Sequence, residues 1–517
     1  MTKSCEASTG SPTCPTTGSG TALRWTTRTT NRFTTSSPDS TERHTQTSQR
    51  SKAMRTGDQV VQDLPWRWRV QGKIFLIGGL GYMFDAWDVA LNGFLTPLVG
   101  TEFGLSATQR GFVATANLIG MAVGAVAWGT VADRIGRKRA FSITLLLFAF
   151  FSVFAALSPN IEVFLLLRFL AGVGLGGCIP VDYAIVSEFS PRKQRGRVLS
   201  AMDGWWPVGT TLAGASATLL VPVSGNWRWM LVLMILPAVL LFWARRGVPE
   251  SPLYLVRKGR EAEARLVIDD LVERTGAPKE TYRIPPAVQE DKRGGGLFAA
   301  VDQLRRVWAY NPKVTAVAWA LFITVMLVYY AALSWMPSIL KAQGFGEIAA
   351  FASTTLMNAL GIVGVVVAVL LVDRIGRKRV IAAAGPLAAV TLVIFSLVLG
   401  SAGAAVVAIG AFGLFSLIVI PVMYAFVSEL YPTELRASGF GWASSSSRAV
   451  TGFAPLLFGS VLWPVLGLPL TFTLLGLLVV GAVVFMVFCA PETRGRELDR
   501  IDDGAAPAPQ PSEMDAV

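Results

Sequence analysis

Asp133–Arg139 reads DRIGRKR, and 240 positions later Asp373–Arg379 reads DRIGRKR again. Each copy directly follows a long apolar run. A helix crossing a bilayer needs about 20 largely apolar residues. Working outward from the two heptapeptides, such runs fall near 74–98, 111–132, 141–158, 162–187, 199–222 and 228–244. After a polar gap they return near 314–340, 348–372, 380–400, 403–428, 438–462 and 469–489. The pattern is two sets of six, and each heptapeptide joins the second and third run of its set.

The repeat is wider than seven residues. IPVDYAIVSEFSP (Ile179–Pro191) matches IPVMYAFVSELYP (Ile420–Pro432) at an offset of 241, with nine of thirteen positions identical. Parallel repeats of this kind place a substrate site near mid-membrane, between the halves. The predicted fold class is therefore an all-α membrane protein with twelve transmembrane helices in two six-helix, pseudo-symmetric halves.

Composition agrees. The 517 residues are 52% hydrophobic and only 15% charged, with a mean hydropathy of +0.50. So little charge cannot cover a soluble protein of this length. The net charge of +12 comes from Lys and Arg in short loops, which is a topology signal and not a nucleic-acid face. Loops after the even-numbered spans are basic; SPNIE, SGNWR and GSAGA after odd ones are nearly free of Lys and Arg. The positive-inside rule thus puts both termini and the central loop in the cytoplasm of a cell with this protein in its plasma (inner) membrane. Four cysteines lack metal or disulfide spacing, and the one histidine, His44, lies in the polar N-terminal stretch. A histidine relay, a metal site and a resident cofactor are not expected.

Five segments follow. Residues 1–72 form an N-terminal tail expected to be disordered, with translation expected to start at Met54. Residues 73–247 are the first half and 248–310 a cytoplasmic linker with an amphipathic helix in GREAEARLVIDDLVERTG. Residues 311–490 are the second half and 491–517 a cytoplasmic tail. Pro180, Pro207, Pro421 and Pro455 predict bends, and Gly120, Gly124, Gly172, Gly174, Gly176 and Gly177 close helix packing.

These residues resemble the major facilitator superfamily from about Lys73 to Asp499. GTVADRIGRKR (Gly129–Arg139) is similar to its signature loop, although Val369 stands in the second copy where Gly129 stands in the first. RFLAGVGLGG (Arg168–Gly177) resembles the fourth-helix motif. SEFSPRKQRGR, VPESPLYL and PETRGREL resemble the sugar-porter branch and its metabolite–proton symporter relatives. Hexose porters carry glutamines in the fifth and seventh helices, and those spans here contain none. FDAWD (Phe84–Asp88) is similar to the paired-aspartate motif of aromatic-acid–proton symporters, with Ala86 in place of the usual glycine. SWMP, WWPVG and the arginine of the eleventh span also resemble aromatic-acid and niacin-type transporters.

An ionisable group inside a span costs about 2.5–3.5 kcal/mol on insertion scales and is a functional candidate by default. Asp85 and Asp88 share one face of the first span, and two carboxylates so close in a low dielectric make a site for a proton. Asp88 is the expected principal carrier, tuned by Asp85; a structural pair is the alternative. Arg168, in the fourth span, is always charged and needs a carboxylate. The resemblance implies a link to the first-span aspartate, so that protonating Asp88 biases the conformational switch; capping of helical carbonyls is the alternative.

Arg448, about twelve residues into the eleventh span, has no acid in the apolar parts of helices 7, 8, 9, 11 or 12 to neutralise it. A guanidinium facing a cavity clamps a carboxylate through two parallel bonds; pairing with an aspartate across the cavity is the alternative. Asp182 and Asp203 are read as an inner proton exit or as ligands for a polar substrate group. Trp87, Trp205, Trp206, Tyr329, Tyr330 and Trp335 are candidates for stacking on a flat ring, with ordinary packing as the alternative. At the cytoplasmic ends the resemblance implies ion pairs that latch the outward-facing state: Asp133, Arg134, Arg137, Glu188 and Arg195 in one half, Asp373, Arg374, Arg377, Glu429 and Arg436 in the other.

The reading is a monomeric proton symporter importing a small carboxylate by alternating access, with sodium as the alternative ion and a proton–sugar or polyol symporter as the alternative function. A membrane enzyme is disfavoured because the spans hold no nucleophile–base set, metal cluster or phosphate-cradling loop. A transporter-like receptor would carry a long folded tail, whereas GAAPAPQPSEMDAV is short.

Overall fold

The protein is described from a computed structural model covering residues 55–192, 194–240, 248–284, 297–432 and 434–493. The apolar runs are helices because, without water, each backbone N–H and C=O must find its partner inside the segment. The first half contains α1 (Lys73–Glu102), α2 (Ala107–Ile135), α3 (Arg137–Ala155), α4 (Ile161–Phe189), α5 (Arg197–Ser224) and α6 (Arg228–Leu240). The second half contains α7 (Pro312–Ala342), α8 (Glu347–Ile375), α9 (Arg377–Leu397), α10 (Ala402–Glu429), α11 (Arg436–Leu457) and α12 (Gly467–Cys489). A π-helical turn, Phe458–Leu466, runs α11 into α12 without a polar loop.

Side-chain caps start several helices. Ser106 and Gln109 exchange backbone bonds at the head of α2 (3.3 and 2.9 Å), and Asn160 accepts from the Val163 amide at the head of α4 (3.0 Å). Asn311 does the same for α7 through the amides of Lys313 and Val314. Gly204 interrupts α5. The cause is Pro207, which has no N–H to give the Asp203 carbonyl four residues back. Pro421 and Pro455 lie inside continuous helix, and the side chain of Pro180 lies outside the described residues.

The duplicated heptapeptide is tighter than a loop. α2 ends at Ile135 and α3 begins at Arg137, so Gly136 alone makes the corner at φ 101°; Gly376 repeats it at φ 104° between α8 and α9. That backbone region is open to glycine and strained for other residues. The glycine stripes bring α2 and α4 into backbone contact. A Cβ on Gly120 or Gly124 would strike the carbonyl of Phe169 or Val173, and one on Gly172 the carbonyl of Asn117.

The expectation of a disordered tail through residue 72 needs correcting at its end. Gly57–Asp63 is helical, the Thr56 amide donates to Gln59, and Val60, Val61 and Leu64 are buried. Gly57 packs on Ile268 of the linker helix Glu261–Thr275, which itself buries Ala264, Ile268, Leu271 and Val272. A short apolar stripe with a neighbouring face to cover it was enough. Met54 and everything before it lie outside the described residues. A second linker helix, Leu297–Tyr310, had no counterpart in the sequence reading; its Gln303 bonds Ser438 and Trp442 of α11.

Hydrogen bonds between the halves gather away from the basic loops. Thr115 of α2 accepts from the Leu456 amide (3.2 Å), and Asn358 of α8 donates to the Thr210 carbonyl of α5 (3.3 Å). At the same end Gly93 of α1 lies so close to the Leu333 carbonyl of α7 that a Cβ would clash.

Candidate functional site

Asp88 and Arg168 meet in the centre of the first half, both wholly inaccessible to solvent. Arg168 donates through Nη1 to Oδ1 (2.8 Å) and through Nη2 to Oδ2 (3.0 Å), a two-pronged pair. The rest of the shell is complete. Asn117 and Ser152 donate to the carboxylate, and Asn92 Oδ1 accepts from Arg168 Nε and Nη2. Four helices, α1 to α4, thus converge on one ion pair. Asn92, Asn117 and Ser152 were missed in the sequence, although lone amides in apolar spans are themselves a signal.

Asp85, one turn before Asp88, is in the opposite condition. Its two carboxyl oxygens are buried and accept no N–H or O–H hydrogen bond among the described residues, and the same holds for Asp182 on α4. Asp182 Oδ2 would lie 2.7 Å from a Cβ on Gly81, one turn from Asp85 on the same face of α1. Cys178 stands between the two acids, its thiol directed at the Gly174 carbonyl (3.7 Å).

Arg448 lies across the interface between the halves. With Tyr82, Asp203, Trp206, Met326, Tyr329, Tyr330, Val365, Leu417, Ile420, Pro421 and Tyr424 it lines a cavity of about 30 Å³. That volume admits water but not an organic molecule. Arg448 Nη1 is buried without a partner among the described residues. Asp203 accepts a short hydrogen bond from the Tyr183 hydroxyl. Trp206 Nε1 donates to the Tyr329 hydroxyl across the interface (3.0 Å), and Tyr82 packs on Trp206 at 5.4 Å between ring centres.

Three aromatic candidates are displaced from this cavity. Trp335 packs between Phe458 and Trp463 and donates to the Pro455 carbonyl (2.9 Å), sealing the end away from the basic loops. Trp205 covers Gly79 and Phe75, because neighbouring residues of one helix point about 100° apart and Trp206 takes the cavity face. Trp87 stacks on Phe84. Asp182 also lies outside the lining. Tyr82 and Tyr424 take these places, and neither was singled out; Tyr424 sits in the repeated IPVMYAFVSELYP beside Met423.

At the basic end each half holds its own charges. Arg377 pairs with Glu429 (3.1 Å) and Asp373 (3.2 Å), and Arg137 with Glu188 (3.7 Å). Arg374 is exposed, Arg195 and Arg436 are half-buried, and the side chains of Asp133 and Arg134 lie outside the described residues. Two glutamates from the quoted motifs complete the arrangement without having been assigned a role. Glu492 accepts from the amides of Arg377 (3.1 Å) and Lys378 (3.4 Å), and Glu250 from that of Lys138 (3.3 Å). Each caps the helix that follows the corner glycine. Thr493 adds a bond to Glu429 (2.6 Å).

Two six-helix halves around a shared polar cavity define a membrane transporter, and the fold is that of the major facilitator superfamily. The chain belongs to the family described as Sugar (and other) transporter, which it matches over residues 13–504. It is 29% identical to the niacin transporter NiaP of Acinetobacter baylyi, over 82% of this chain and 94% of that one. It is 30% identical to a gallate transporter of Pseudomonas putida, over 80% and 89% of the two chains. Among solved structures, the xylose transporter XylE from E. coli superposes with a TM-score of 0.67 at 19% identity, over 83% of this chain and 99% of that one. The protein is a multi-pass transporter of small molecules, not an enzyme.

Proposed function

We propose that this transporter is a proton-coupled symporter importing a small carboxylate, aromatic or nicotinate-like, by alternating access. Arg448 carries the reading: a guanidinium nitrogen left without a partner in a cavity between the halves is a place for an anion. The relatives named for niacin and gallate support a flat, acidic cargo, and Trp206, Tyr329, Tyr330 and Tyr424 supply ring faces to hold it. A polyhydroxylated sugar would need several amide groups to satisfy its hydroxyls, and the lining contains no glutamine or asparagine. The sugar or polyol symporter therefore stands second.

Coupling is assigned to Asp88 and Arg168. Protonating Asp88 removes the charge that holds Arg168, so proton and substrate bias one conformational equilibrium. The basic end is taken as cytoplasmic and the chain as a monomer in the plasma membrane, with no cofactor beyond the proton gradient. In that orientation the interhalf hydrogen bonds close the outer side. The test is uptake into proteoliposomes of labelled benzoate, hydroxybenzoate, nicotinate and hexoses under an imposed pH gradient. Carboxylate uptake that collapses with the gradient is expected; uptake of hexoses alone, indifferent to Arg448→Ala, overturns the proposal.

A further inference from the structure

Asp85 and Asp182 are two acids inside one protein half that form no ion pair and meet no N–H or O–H donor among the described residues. A buried carboxylate is tolerated when donors or a cation compensate it, and Asp88 shows what compensation looks like in this same half. Its two oxygens receive four hydrogen bonds. The four oxygens of Asp85 and Asp182 receive no N–H or O–H donor among the described residues, only the weak thiol of Cys178 beside Asp85, and both side chains are entirely inaccessible. The fold itself does not require an acid at the second position. Met423, the repeat-mate of Asp182 at an offset of 241, is also fully buried, so the same place in α10 is filled by a thioether.

The surroundings narrow the ligand. On α1, Asp88 is already engaged by Arg168, and on α4 the Cys178 thiol faces both acids. From α3 come Phe141 and Thr144, neither of which is charged. Arg448 of α11 and Tyr330 of α7 act on Asp85 through space, and Arg448 forms no ion pair with either carboxyl. The two acids act on each other. A hard cation asks for a shell of six or more oxygens, whereas an aromatic ring, a thiol and a glycine make up this wall. A proton needs one oxygen and removes the charge altogether.

The geometry points to Asp85 and Asp182 as a proton-binding carboxyl pair, separate from Asp88 and Arg168 and lying between that ion pair and the basic end. It holds at least one proton at neutral pH. Its use as a station for the transported proton rests on the symport proposed above; its protonation does not.

Infrared difference spectroscopy of the full chain reconstituted in lipid, with no substrate, tests this directly. The wild type at neutral pH is expected to show a protonated-carboxyl C=O stretching band that shifts in D2O. The band weakens in Asp85→Asn and in Asp182→Asn, weakens further in the double variant, and keeps its intensity in Asp88→Asn. Both substitutions keep shape and put an uncharged amide in the place of the acid, and each single variant is informative if the double one is not obtained. Absence of the band at neutral pH, or undiminished intensity in the double variant, overturns the assignment. Loss of the band in NaCl but not in KCl also overturns it, in favour of a cation site. A transporter found indifferent to pH gradients would sink the symport reading and leave the band in place.

Discussion

The carboxylate of Asp88 and the guanidinium of Arg168 face each other edge to edge, two parallel bonds of 2.8 and 3.0 Å, where neither residue touches solvent. Neutralising one side leaves the other charge buried and alone. Breaking such a pair costs about 3–5 kcal/mol. Asp88→Asn should therefore lower the thermal midpoint of the purified protein by several degrees and abolish gradient-driven accumulation, while exchange down a gradient can survive. Arg168→Gln should be equally destabilising, and the double change Asp88→Asn with Arg168→Gln should regain part of the loss. A double variant that is strictly additive would show that the two residues are not coupled.

Arg448 offers Nη1 to the cavity. Hydrogen bonds to charged groups are worth about 1.5–3 kcal/mol each, or roughly 10- to 150-fold in affinity. Arg448→Ala should raise KM for a carboxylate by that factor and leave a neutral analogue, such as the corresponding amide, nearly unaffected. Arg448→Lys keeps the charge but not the two-pronged geometry and should recover only part. Equal losses for acid and amide would mean that the arginine supports the helix and not the cargo.

The contrast between these residues and Trp335 shows what the sequence made legible. Asp88, Arg168 and Arg448 are charges in apolar runs, and the cost of putting them there is visible letter by letter. The twelve helices follow from the same arithmetic of apolar length. Trp335 and Trp205 sit in equally suggestive strings, yet which way an indole points depends on how its helix is rotated in the packed bundle. Tyr82 and Tyr424 reach the cavity for the same three-dimensional reason. Glu492 and Glu250 were hidden differently: each is remote in sequence from the helix it caps, and only the closed fold brings the glutamate to the corner glycine.

Gly93 sets how closely α1 and α7 approach at the end away from the basic loops, since any Cβ there would run into the Leu333 carbonyl. Overpacking of this kind costs about 1–3 kcal/mol. Gly93→Ala should charge that cost to the closed arrangement and shift the population toward one open at this end by roughly 5- to 150-fold. A cysteine introduced into the cavity at Leu417 should then react faster with a membrane-impermeant thiol reagent added from that side. Unchanged labelling would place the closing contact elsewhere, at Thr115 and Leu456 or at Asn358 and Thr210.

The corner at Gly376 joins three constraints in one residue. Its φ of 104° is strained for any side chain, a Cβ would stand 2.8 Å from Glu492 Oε2, and Glu492 Oε1 accepts the first amides of α9. Strained backbone costs about 1–3 kcal/mol and loss of a helix cap about 0.5–2 kcal/mol. Gly376→Ala should therefore be the more damaging change, with Glu492→Ala milder. Glu492→Gln should be milder still, because an amide oxygen still accepts the hydrogen bond while the charge at the helix start is lost. Thermal unfolding in lipid nanodiscs ranks the three. The same order is expected at Gly136 and Glu250, where φ is 101° and the Lys138 amide is capped. If Gly376→Ala proved harmless while Glu492→Ala did not, the corner would owe its shape to the cap and not to the glycine.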